Sequence, residues 1–124
     1  MNLQTAPRGS LALPASTSTD APRRRPVIVI NTFVVKPGQI DAFIALQDSA
    51  RARFAGLVPG LRGSRMHRAL DGRTAVLMTA FDSLDDQKAL LASELFAAHR
   101  EQLLPLIEQA SPGAYEIAYE AGDF

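Results

Sequence analysis

The pattern of apolar and polar positions changes at Val27 and again at Gln39. From Val27 to Val35, VIVINTFVV, apolar residues run almost unbroken, and most are β-branched or aromatic. A run this short, closed by Lys36-Pro37-Gly38, predicts a strand buried on both faces. From Gln39 the period lengthens. Ile40, Phe43, Ile44, Ala50, Phe54 and Leu57 recur near three-to-four spacing, with Asp41, Asp48 and Arg51 on the other side. That predicts an amphipathic helix ending near Gly56. Val58-Pro59-Gly60 turns the chain. Residues 61–69 predict a second strand, Asp71-Gly72 a hairpin turn, and residues 73–81 a third strand.

Ser83 with Asp86 three positions on has the form of a capping box, so a short helix should run to Ala92. Ser93 restarts helix through ELFAAHREQLL. Pro105 has no N–H for the carbonyl of Glu101, which predicts a kink or restart there. Ser111-Pro112-Gly113 is expected to break the chain again. Residues 114–121 then alternate, with Tyr115, Ile117 and Tyr119 on one face and Glu116 and Glu120 on the other, as in a half-exposed last strand.

The resulting order is βαββαβ with the second helix split. This is the α+β, ferredoxin-like plan: a four-stranded antiparallel sheet with helices on one face. The uncovered face of such a sheet should be polar. Here it is not: Val29, Phe33 and Val35 lie on one side of the first strand, and Ile28, Ile30 and Val34 on the other. The economical cover for a second apolar face is another copy of the same sheet, which predicts a homodimeric α+β barrel.

Composition adds mainly exclusions. A chain of 124 residues fits one domain with a real core. Residues 1–26, rich in Pro, Ser, Thr and Ala and without a sustained period, are expected to form a flexible arm ahead of a domain at 27–124. A signal peptide is the rival reading, but its apolar part, Leu11-Ala12-Leu13, is too short. Arg23 to Arg25 could touch phosphate, although three basic residues in such an arm are ordinarily solvated. Thirteen basic residues balance thirteen acidic ones, so there is no net field to hold nucleic acid or an anionic membrane, and neither is an expected partner. No apolar run approaches the length of a membrane span. The chain has no cysteine, which removes disulfides, thiolate catalysis and cysteine metal sites and is compatible with the cytoplasm.

One residue breaks the first strand's pattern. Asn31 shares a face with Val27, Val29, Phe33 and Val35. A buried carboxamide costs about 1–3 kcal/mol unless it is hydrogen-bonded. It is therefore either tied to a neighbouring backbone or side chain, or it lines a pocket and offers a ligand two donors and an acceptor.

Three segments, INTFVVKPG, VPGLRGSRMHRALDGRTAVLMTAFDS and SELFAAHREQL, resemble the antibiotic-biosynthesis monooxygenase family of dimeric α+β barrels, over roughly residues 27–121. The resemblance implies a homodimer with one pocket per subunit between sheet and helices. Some members are cofactor-independent oxygenases that convert anthrone-like polyketides to quinones; relatives oxidise quinols or bind and degrade heme. Asn31 stands where several members place a pocket Asn on the first strand. The Asn and Trp that polyketide oxygenases carry on the third strand fall on Leu77 and Phe81, and a pocket Tyr falls near Gln87. The heme-degrading relatives use a helical His as iron ligand. His99 lies within one residue of that position, but their accompanying Trp is missing, since the chain has none.

Cofactor-free oxygenation asks little of a protein. A deprotonated anthrone or quinol supplies the electrons, and the protein holds it dry, accepts its proton and steadies the developing charge. Asn31 could donate to the substrate oxygen, and His67 or His99 could be the base. Phe33, Phe54, Met66, Phe81 and Phe96, with Leu77 and Gln87, could shape an aromatic-sized cavity for a small substrate. Equally, His67 could face solvent between Arg65 and Arg68, and His99 could be a core or surface residue. Two histidines with no third ligand predict no metal site. The expected function is a monooxygenase needing no cofactor, which oxidises a polycyclic phenol, anthrone or quinol with O2. The alternative is a non-catalytic barrel that binds heme or an aromatic ligand.

Overall fold

The computed structural model describes residues 25–123. The expected arm lies outside them except for Arg25 and Pro26, and Arg25 donates to the carbonyl of Ile117 at 3.2 Å. The elements follow the order β1 (Val27–Val35), α1 (Ile40–Phe54), β2 (Leu61–Arg68), β3 (Thr74–Phe81), α2 (Leu84–Leu91), α3 (Glu94–Leu103) and β4 (Ile107–Glu116). The strands form one antiparallel sheet in the order β2-β3-β1-β4. This is the α+β, ferredoxin-like arrangement with its second helix in two pieces.

Local chemistry sets most boundaries. Ser83 caps α2 by accepting from the amide of Asp86, and Ser93 caps α3 by accepting from the amide of Phe96. Pro105 turns the end of α3 into a single 3-10 turn, Leu104–Leu106, which leads directly into β4. In the β2–β3 hairpin the Asp71 carboxylate accepts from the amides of Arg73 and Thr74 and from the Thr74 hydroxyl. Those bonds to the charged form hold its pKa below the ordinary carboxylate value. Gly60, at φ 78°, sits so close under the Asp86 side chain that a β-carbon would collide with it, which brings the start of β2 against α2.

Helix α1 ends at Phe54, near Gly56 as expected, with Gly56 in a left-handed backbone at φ 76°. Two expectations are corrected. Leu57, expected on the helix stripe, lies beyond the helix and is 66% exposed. The last strand occupies residues 107–116 rather than 114–121, and runs straight through Ser111-Pro112-Gly113. It lies at the edge of the sheet, paired to β1 alone, so a proline and a glycine interrupt no second ladder. A bulge at Glu108 shifts its register, so that Val34 faces Gln109 but Val35 faces Ile107.

The core lies between the sheet and the helices. Phe33 and Val35 of β1, Phe43 of α1, Ala75 of β3, Leu103 of α3 and Ile107 of β4 form one buried cluster. Phe43 and Val35 have no exposed surface, and the Phe43 ring meets Phe33 at 4.9 Å between centroids. The odd-numbered positions of β1, Asn31 included, therefore face the helices. The even-numbered ones face away.

Candidate functional site

Beyond the packed end of this core, sheet and helices separate around a cavity of about 870 Å³. Its floor is the inner face of the sheet: Val29, Asn31 and Phe33 of β1, Ser64 and Met66 of β2, Leu77, Thr79 and Phe81 of β3, and Pro112 of β4. Its roof comes from Gln47, Ala50 and Phe54 of α1, Gln87 and Leu90 of α2, and Phe96 and His99 of α3. The volume and mostly apolar wall suit a ligand of drug size with a few polar groups.

Asn31 is central to the floor. Its partners in the sheet are Leu77 on one side and Pro112 on the other, and neither carries a side-chain group able to bond an amide. Its Oδ1 is buried and has no hydrogen-bond partner among the described residues. The Asn31 question left open by the sequence is thereby narrowed: no neighbour ties down its carbonyl oxygen.

His99 is central to the roof. It is only 5% exposed, wedged between Phe54 (centroids 5.7 Å apart, edge-on) and Phe96 (6.4 Å). Oε1 of Gln47, reaching across from α1, lies 2.6 Å from Nε2 of His99. A carbonyl oxygen can only accept, so Nε2 carries the proton and Nδ1 keeps its lone pair. Nδ1 is also buried and without a partner among the described residues. Burial, and secondarily the charge of Arg53, lower the pKa of His99 below its ordinary value, so the ring is neutral at neutral pH.

The rim is charged. Arg68 pairs with Asp41 at 2.8 Å and Arg51 with Asp48 at 2.7 Å, and Arg100 also lines the cavity. Among the described residues no cluster of three His, Asp or Glu is placed to hold a metal ion.

Of the residues singled out from the sequence, Asn31, Phe33, Phe54, Met66, Leu77, Phe81, Gln87, Phe96 and His99 all line this cavity. His67 does not. It pairs with Val76 on β3, on the outer face of the sheet, and its Nδ1 lies 3.1 Å from the Val76 carbonyl. The alternation of β2 puts it on the side opposite Met66. Gln47, Ser64 and Thr79 were not foreseen. Gln47 carried a readable signal: it is the polar residue in the stripe Phe43, Gln47, Ala50, Phe54, spaced as one helix face.

Comparison with solved structures gives the same architecture. Rv0793 from Mycobacterium tuberculosis is 23% identical, with a TM-score of 0.67 over 78% of this chain and 99% of that one. SnoaB from Streptomyces nogalater, described as a cofactor-independent oxygenase, is 22% identical, with a TM-score of 0.68 over 79% and 97%. A putative antibiotic biosynthesis monooxygenase from Nitrosomonas europaea is 18% identical, with a TM-score of 0.68 over 79% and 95%. At these identities the likeness is one of fold. No functionally curated protein matches the chain. The model of the family described as antibiotic biosynthesis monooxygenase matches residues 26–102, more than half of the chain and nearly all of the cavity wall. The chain belongs to that antibiotic biosynthesis monooxygenase family.

Proposed function

We propose that the protein is a monooxygenase that needs no cofactor and oxidises a polycyclic phenol, anthrone or quinol with O2. One observation carries the reading: a mostly apolar, aromatic-sized cavity is lined by two residues whose buried acceptors lack donors among the described residues, Oδ1 of Asn31 on the sheet and Nδ1 of His99 on the helices. A substrate hydroxyl would give its proton to Nδ1, leaving an electron-rich aryloxide able to reduce O2 by one electron. For an anthrone, one oxygen atom becomes the new ring carbonyl. The other leaves as water with the two hydrogens of the oxidised carbon. The low dielectric of the cavity strengthens the contact between the imidazolium and the anion.

The chain is proposed to work in the cytoplasm, as a homodimer built on the domain at 27–124. Ile28, Ile30 and Val34 of β1 and Val76, Met78 and Ala80 of β3 share the outer face of the sheet, and all three helices lie on the other side. Among the described residues no helix is long and apolar enough to cross a membrane. A heme-binding reading would leave only Nδ1 of His99 for iron, since Gln47 occupies Nε2.

The test is oxygen uptake with an anthrone such as dithranol, and with naphthalene and anthracene diols. A His99→Gln variant should lose about 10²- to 10⁴-fold in kcat/KM, the range for a lost general base. No uptake by the wild-type protein across the panel would refute the reading.

A further inference from the structure

The two acceptors also specify what a ligand must bring, and Gln47 is why one of them is an acceptor at all. An imidazole without a fixed partner exchanges its proton between Nδ1 and Nε2. Here Oε1 of Gln47, 2.6 Å from Nε2, favours a single tautomer. The lone pair of Nδ1 is left without a donor, as is Oδ1 of Asn31. A buried acceptor without a donor costs about 1–3 kcal/mol, and a ligand hydroxyl that reaches it after a small shift of the covering side chains recovers it. A ligand presenting carbonyl oxygens instead brings acceptor against acceptor.

We propose that Gln47 is a positioning residue that keeps the His99 proton on Nε2, so that the site selects ligands offering two hydroxyl donors, one to Nδ1 of His99 and one to Oδ1 of Asn31. This rests on the reading of the cavity as an aromatic-ligand site. The selected class is the reduced, dihydroxylated aromatic; its oxidised dicarbonyl counterpart, of nearly the same shape, is rejected. When the hydroxyl proton moves, its O–H bond breaks and an N–H bond forms on Nδ1, while Nε2–H stays on Gln47. The amide partner suits this step. It orients the ring as a carboxylate would, without adding a negative charge that would hold the proton on the ring.

Two measurements test the proposal. Nitrogen-15 NMR of the labelled protein reads which ring nitrogen of His99 is protonated, with a His67→Ala variant separating the two histidine signals. The expected state is neutral, protonated on Nε2 alone; Gln47→Leu should shift it to a mixture of tautomers. Calorimetry then compares naphthalene-1,4-diol, kept reduced under anaerobic conditions, with 1,4-naphthoquinone. The chain has no cysteine to trap the quinone. The diol should bind at least about tenfold more tightly, and Gln47→Leu should lose most of that preference. Protonation of Nδ1 in the wild-type protein overturns the proposal whether or not the variant folds. Equal binding of diol and quinone also overturns it, while leaving the aromatic-ligand reading standing. Binding of neither refutes both.

Discussion

The two faces of the sheet are nearly equal in apolar content and differ in what meets them. The inner face carries Val29, Phe33 and Val35 of β1, and helices close over it. The outer face carries Ile28, Ile30 and Val34 beside Val76, Met78 and Ala80, with no helix above it among the described residues. Each face also holds a residue with usable chemistry. On the inner side His99, brought by α3, is buried, edge-on to Phe54 and bonded through one nitrogen. On the outer side His67 is exposed and lies against the Val76 carbonyl. The contrast teaches that a histidine becomes a candidate base through the element that covers it. Residue type and strand position do not decide it.

The largest effect should come from the covered side. Phe43 has no exposed surface, and Phe43→Ala should cost about 3–5 kcal/mol in denaturant unfolding. A loss under 1 kcal/mol would mean that the helices do not close the inner face as described. On the open side, Ile30→Asp places a charge in the middle of the outer face. If that face packs on a second copy, light scattering should show the mass fall from two chains to one while the fold is retained. A wild-type protein already at one chain would sink the dimer.

Asn31→Leu sharpens the contrast within the inner face. It removes a buried acceptor that has no donor, so the ligand-free protein should become more stable by about 1–3 kcal/mol while diol binding is lost. Destabilisation would show that Asn31 is a structural pin after all.

His99 makes the acid side sensitive. Its folded pKa lies below the ordinary 6.5, so the unfolded chain takes up the proton more readily. Its contribution to stability is therefore full above pH 6.5 and is lost as pH falls from there through the depressed folded value. The base form should likewise persist below pH 6.5, and kcat/KM should decline only on further acidification. A His99→Phe variant should flatten the stability dependence over that window. The smallest effect belongs to the outer histidine: His67→Ala should leave kcat/KM within about twofold and stability within about 0.5 kcal/mol. A loss approaching that of His99→Gln would move the chemistry to the wrong side of the sheet.

Strands, helices and the two-faced pattern of β1 were legible because they depend on local spacing. Ser83 and Ser93 cap helices for reasons contained within four residues. The course of β4 was not legible. Proline and glycine end a strand that has neighbours on both sides, and no local signal says that this strand lies at an edge. Asn31 could be singled out as an interruption of an apolar run. That its oxygen would lack a partner depended on Leu77 and Pro112, one from each neighbouring strand.

By itself the sequence determined the order of elements, the family and the presence of one polar residue in an apolar strand, since period and composition carry these. Only the tertiary structure decided that His99 rather than His67 reaches the cavity, and that Gln47, 52 positions away, lies against its Nε2. Both follow from packing α1 against α3 over one face of the sheet. Such a long-range contact is set by the shape of the whole core, which no local pattern contains.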